Sequence, residues 1–238
     1  KDQTAFSGKF GYYTVHHCRR AAVNNEIFPG QDINLPLAED VSFRLLWIGP
    51  LKIWAAEFAV TNREYRCFES AHNSGALDGQ SLDGDDQPAV NVSWDNARRY
   101  TLWLQGIFGR TLPEGFRYRL PTEPERESYA KCEVTGEPIW GERCPGFGNY
   151  EVIEQMRIGR GLPPPCRATP ENAWGLHGAD GGIWEWVEDI FDPAMNRRNL
   201  RGASWCGMGD DGFQVLYHRT ATPDVGHPNF GFRVVAGM

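Results

Sequence analysis

The stretch that decides the fold is Ile183-Trp184-Glu185-Trp186-Val187-Glu188-Asp189-Ile190. It is rich in β-branched and aromatic residues and reads as a strand. Its tryptophans read as core anchors rather than a binding cage, since an indole brings a large apolar area to any interior. A carboxylate between two tryptophans needs a cation, and Arg119 or Arg201 is the expected partner of Glu185. Outward from this run, short strands are expected at Asn199 to Trp205, Phe213 to Arg219 and Asn229 to Val235.

Upstream the chain changes character. Val41 to Ile48 alternates as a strand closed by Gly49-Pro50. Three helix starts follow with explicit capping chemistry. Thr61-Asn62-Arg63-Glu64 is a capping box, with Tyr65 and Phe68 expected inward. Ser93 caps a helix whose Ala97, Tyr100, Thr101 and Leu104 recur at i, i+3, i+4 and i+7. Thr122-Glu123-Pro124-Glu125 is a second T-x-x-E box, with proline tolerated in the first turn. Ser74 to Gln87 reads as a Gly/Asp-rich loop, and Cys132 to Pro170 as loop with Trp140-Gly141 and Pro163-Pro164-Pro165. Helices early and strands late give an α+β fold, with helices packed on small antiparallel sheets. Residues 1–40 are read as an N-terminal extension packed on the domain, and residues 41–238 as the domain itself.

Composition bounds the function. A chain of 238 residues with 41% hydrophobic and 23% charged residues is an ordinary globular one, not a disordered tail or a fibre. No apolar run is long enough to span a membrane. The net charge of -7 argues against a nucleic-acid surface, which needs a basic face. The 9 tryptophans, 27 glycines and 16 prolines point to irregular backbone pinned by aromatic anchors. Cys18, Cys67, Cys132, Cys144, Cys166 and Cys206 contain no C-x-x-C pair, so a structural zinc site is not expected. Their even count permits three disulfides if the protein is exported.

Five segments carry a family resemblance in order. They are Val60-Thr61-Asn62 with Tyr65 and Phe68; Pro88-Ala89-Val90-Asn91-Val92-Ser93-Trp94 with Trp103; Tyr118-Arg119-Leu120-Pro121-Thr122-Glu123; Asn172-Ala173-Trp174-Gly175-Leu176 with Trp184-Glu185-Trp186; and Arg201-Gly202-Ala203-Ser204-Trp205 with Asn229 and Gly231-Phe232-Arg233. Together they resemble the formylglycine-generating-enzyme (sulfatase-modifying factor) subtype of the C-type lectin-like fold. That fold hosts an oxidase, sulfoxide synthases and binding proteins, so function has to come from the site.

The resemblance implies that the copper-dependent oxidase would place its two thiolates at positions 207 and 212. Gly207 and Gly212 stand there, with Cys206 alone and one position early. One soft ligand is a poor copper site, so no catalytic residue and no cofactor are expected. His16, His17, His72, His177, His218 and His227 show no paired spacing on a helix for iron and read as exposed or hydrogen-bonded. For the family's calcium site the resemblance implies Glu185 as a ligand, but Gly178 occupies the other side-chain position, leaving Asp180 or water to substitute.

Between intact framework pieces lies an irregular stretch from about 205 to 230. It resembles the variable segment of diversity-generating retroelement proteins, of which TvpA-type bacterial surface lipoproteins are an example. Adenine-directed mutagenesis of asparagine codons cannot yield Lys, Glu, Gln, Met or Trp. Only Met208 and Gln214 of those types occur between Cys206 and Phe230, where composition alone would give about four. The resemblance therefore implies a non-catalytic ligand-binding protein with sequence variation in a display surface. Cys206, Gly207, Asp210, Asp211, Phe213, Tyr217, His218, Val225 and His227 would form that surface, because exposed aromatics beside small residues suit a paratope. The alternative is an inactive homologue with a structural role, and behind it an oxidase. The expected partner is a protein or surface ligand, not nucleic acid; the expected state is a monomer at the cell surface, held by a lipid-anchored N terminus. The closing strand at Asn229 to Val235 is expected to return beside Asn199 to Trp205, bringing the variable side chains to one face.

Overall fold

The computed structural model describes residues 26–132, 165–169, 171–179, 181–202 and 218–238, with His218 described in its backbone alone. The first half holds β1 (Ile33–Pro36), β2 (Ser42–Ile48), β3 (Ile53–Ala56), α1 (Asn62–Arg66), β4 (Ala76–Leu77), β5 (Gln80–Ser81), α2 (Trp94–Phe108), β6 (Arg117–Arg119) and α3 (Glu123–Lys131). The second holds β7 (Trp184–Asp192), β8 (Arg197–Arg201), β9 (His218–Ala221), β10 (Phe230–Phe232) and β11 (Val235–Gly237). The expected loop features at Trp140-Gly141 and Pro163-Pro164 fall outside the described residues.

A five-stranded antiparallel sheet runs β1-β2-β3-β11-β6, and a four-stranded sheet runs β10-β7-β8-β9. This is the expected α+β architecture. In β2 the period of two is explicit: Phe43 and Leu45 are buried, Ser42 and Arg44 exposed. Strand β3 is buried on both faces, so its alternation sorts side chains between two cores. Trp54 and Ala56 join the cluster around α2, whereas Ile53 and Ala55 join the cluster around Tyr129 and Leu176.

Helix α2 forms as its spacing requires. Ser93 Oγ accepts the Asn96 amide, and Ala97, Tyr100, Thr101 and Leu104 are buried, extended by Trp94 and Phe108. Tyr100 stacks on Tyr65 at 5.6 Å and meets Phe232 edge-on at 5.4 Å. Two indoles tie the start of α2 and the residues before it to β7: Trp186 Nε1 donates to the Val92 carbonyl, and Trp94 Nε1 to that of Val187, each at 2.8 Å. Trp94, Trp184 and Trp186 are buried core anchors, with Trp103 and Trp174 half-buried at the edge.

Among the described cysteines Cys166 is a buried free thiol. Three expectations change. Ser74 to Gln87 contains the small hairpin β4–β5. The stretch Asn229 to Val235 is two strands in different sheets, because the chain changes sheet at Arg233-Val234. There the Arg233 guanidinium occupies the carbonyls of Ala56, Glu57 and His177, which holds the backbone in the crossing. Finally, β10 does not lie beside β8. It pairs in parallel with β7, which separates the two, and β9 is the neighbour of β8 on the far side.

Candidate display surface

The stem of the variable segment is the β8–β9 ladder. Arg201 is the register partner of His218, Leu200 of Arg219 and Asn199 of Thr220. The chain therefore leaves the sheet at Gly202 and re-enters it at His218, one strand spacing away. Gly202 has φ +103, and a Cβ there would lie 2.6 Å from Arg126 Nη2, so position 202 demands glycine on both counts. Cys206, Gly207, Asp210, Asp211, Phe213 and Tyr217 lie outside the described residues, as does the His218 side chain.

Under the stem lies a buried ionic lattice. Helix α3 begins with the Thr122 capping box, which fixes the first turn so that Glu123, Arg126 and Glu127 face the four-stranded sheet. Glu185 Oε2 accepts from Arg126 Nε at 3.2 Å and from the Tyr129 hydroxyl at 3.0 Å, while its Oε1 accepts from Arg233 Nε at 3.1 Å. Arg201 pairs with Glu123 at 3.1 Å and with Glu127. The expected partners of Glu185 were Arg119 and Arg201. Instead Arg119 is held by Glu125, with two bonds of 2.7 Å, and the α3 carboxylates take Arg201 although it stands opposite Glu185 on the neighbouring strand. Burial works against the Arg233 charge, but Glu185 and Tyr129 together outweigh it and raise that guanidinium above its ordinary value. Burial also pushes the Tyr129 phenol far up, reinforced by Glu185, so it acts as a fixed donor. Three carboxylates thus face three guanidinium groups in one electrically balanced layer, whose evident work is to seat α3 against the root of the stem.

The return path, residues 222–229, packs over the start of α2. Asp95 donates its amide to the Pro223 carbonyl at 3.0 Å, and Asn91 donates to that of His227 at 2.9 Å. Of the two remaining surface candidates, Val225 is 41% exposed. His227 is half-buried: Nδ1 contacts Asn229 Oδ1, and its ring lies 5.0 Å from that of Phe230. His72 and His177 are likewise hydrogen-bonded, to Ser74 Oγ and the Thr169 carbonyl.

Glu185 does not fit a calcium ion. Its two oxygens already accept from two guanidinium groups and a phenol, whereas a calcium ligand must point bare oxygen at the ion. Among the described residues no group of three or more His, Cys, Asp or Glu side chains could hold a metal. Asp180 lies outside them. The lattice is the feature that sequence reading missed. Its signal was present in Glu123, Arg126 and Glu127 at i, i+3 and i+4, and in Arg233 inside the otherwise apolar run Phe230 to Gly237.

With this geometry in view, comparison with known proteins is informative. Residues 38–238 match the sulfatase-modifying factor enzyme 1-like domain. The mouse protein named inactive C-alpha-formylglycine-generating enzyme 2 is 33% identical over 61% of this chain and 48% of its own length. The formylglycine-generating enzyme of Streptomyces coelicolor is 28% identical over 61% and 51%. The chain thus spans about half the length of these curated relatives. Among solved structures, Treponema denticola variable protein 1 superposes with a TM-score of 0.63 at 19% identity, over 86% of this chain and 98% of that one. Family match and fold agree: the chain belongs to the sulfatase-modifying factor enzyme 1-like domain family, in its C-type lectin-like fold.

Proposed function

We propose that this chain is a non-catalytic binding protein whose segment from about 205 to 230 is a diversified ligand surface. The observation that supports the reading is the stem: β8 and β9 hold Arg201 and His218 in register, on either side of residues 203–217, on a sheet anchored by the α3 lattice. A segment without regular sequence period, joined at both sides to a rigid sheet, is where recognition is usually carried. Gly207 and Gly212 at the thiolate positions support the absence of oxidase chemistry, as do relatives named inactive. Those relatives also favour the second reading, a non-displaying homologue with a structural role. The ligand is a protein or surface molecule, differing between variants.

Two measurements test this. A library randomised at Gly207, Asp210, Asp211, Phe213 and Tyr217 is selected against a well-folded target such as lysozyme. Binders that melt within a few degrees of the parent are the expected result; loss of folding across the library favours the structural role. Incubation with Cu(I), oxygen and a Cys-x-Pro-x-Arg peptide should yield no aldehyde, and turnover would overturn the non-catalytic reading.

A further inference from the structure

Away from the stem, a cavity of about 220 Å³ opens between the β1–β2 turn, the start of α1 and the segment around Arg167. It is lined by Asp40, Val41 and Ser42 from the turn and by Thr61, Arg63 and Glu64 from the start of α1. Phe58, Asp86 and Arg167 complete the lining. Among the described residues, none of those at 218–230 lines it.

The charges are unevenly spent. Arg63 faces Asp85 at 3.5 Å and Asp86 at 3.8 Å, which accounts for one cation and one wall carboxylate. Asp40 and Arg167 remain, and among the described residues neither has an ion-pair partner. The Arg167 guanidinium lies 4.8 Å over the Phe58 ring, whose other neighbour is His177, also at 4.8 Å. That stacking orients the guanidinium and lowers the entropy cost of using it. The adjacent amide of Cys166 donates to the Asp86 carbonyl at 2.7 Å, fixing the Arg167 segment to the cavity wall. Glu64 is 6% exposed, and its Oε2 is taken by the Thr61 amide.

We propose that this cavity binds a free α-amino acid, with its carboxylate on Arg167, its ammonium toward Asp40 and Glu64, and its side chain against Phe58 and Val41. A cavity of this size admits roughly ten non-hydrogen atoms, the scale of an amino acid and below that of a drug-sized ligand. One unspent cation and one unspent anion lining the same small cavity match a zwitterion better than either charge alone. Burial pushes the Glu64 carboxyl up to about 7, against the Thr61 hydrogen bonds and Arg167, so an arriving ammonium meets a group able to ionise in response.

Isothermal titration with each of the twenty free L-amino acids is the test, followed by the N-acetyl and carboxamide forms of any that bind. At least one amino acid should bind, and both blocked forms should lose about tenfold or more in affinity. Arg167→Met and Asp40→Asn change exposed side chains, so both should keep the parent melting temperature while losing a similar factor. The proposal fails if none of the twenty binds, or if either variant binds like the parent. Retained binding of the N-acetyl form would identify a simple carboxylate site and equally overturn it.

Discussion

Two capping boxes head α1 and α3 with the same T-x-x-E signature and nearly the same geometry, yet their glutamates live in opposite electrostatic worlds. Thr61 and Thr122 donate their amides to Glu64 and Glu125 at 2.8 Å, and the return bonds to the threonine hydroxyls are 3.3 and 3.4 Å. Burial raises both carboxyls. At Glu64 the Thr61 bonds and a more distant Arg167 oppose that only weakly, and the group ends near 7. At Glu125 the bidentate Arg119, together with Thr122, outweighs burial and holds the carboxyl below its usual range. Local sequence sets the cap, while a tertiary partner far from the motif sets its charge. The same division separates the buried faces of the helices: α2 presents Ala97, Tyr100 and Leu104 to the core, and α3 presents Glu123, Arg126 and Glu127.

The largest effect should come from breaking the charged face. Glu185→Gln leaves Arg126 and Arg233 without their shared carboxylate, and removing one partner from a buried ionic set costs about 3–5 kcal/mol. Leu104→Ala, on the apolar side of the comparison, should cost about 2–5 kcal/mol through its cavity. Urea denaturation measures both. A cost below about 1 kcal/mol for Glu185→Gln would mean that water reaches the lattice and that its charges are screened.

These differences explain what was readable in the sequence. Caps and the α2 stripe were legible because their partners sit three or four residues away. The partners of Glu185 were not, since Arg126, Tyr129 and Arg233 converge from α3 and the β10–β11 crossing. No local rule distinguishes them from Arg201, which stands directly across the ladder. The crossing at Arg233-Val234 was hidden for a related reason. Asn229 to Val235 alternates like one strand, and the change of sheet depends on carbonyls at Ala56, Glu57 and His177. Of the proposed surface, Val225 and His227 can be placed along with the stem, whereas Cys206 to Tyr217 fall outside the described residues.

The second effect sharpens the contrast between the caps by pH. Glu64 holds its proton to about 7 when folded but ionises near its ordinary 4.5 when unfolded. Below 4.5 both states are protonated and nothing changes. Between 4.5 and about 7 the unfolded state alone ionises, so stability falls as pH rises, by at most about 3 kcal/mol, and is then level. Glu64→Gln keeps a capping-competent side chain and should flatten that slope. Glu125 works in the other direction, contributing stability above its unfolded range that is lost as acid protonates it. Melting curves from pH 3 to 8 read both; an unchanged slope in Glu64→Gln would remove Glu64 as its source.

The smallest effect tests whether the two threonines differ only through their glutamates. Thr61→Ala and Thr122→Ala each remove a side-chain acceptor for the N3 amide, which costs about 1 kcal/mol. The threonine hydroxyls also favour the ionised carboxyl in each box, and that second contribution exists only while the carboxyl is charged. At pH 5 Glu64 is mostly protonated, so Thr61→Ala should cost the cap alone. At pH 8 Glu64 is mostly ionised, and the same variant should lose up to about 1 kcal/mol more. Glu125 is ionised at both values, so the cost of Thr122→Ala should be flat across that window. Guanidinium titrations of the two variants and the parent at pH 5 and 8, at matched ionic strength, give the four differences. Equal pH dependence in the two variants would show that the partner arginine does not set the charge of the cap, and the comparison between the boxes would collapse to one of helix length.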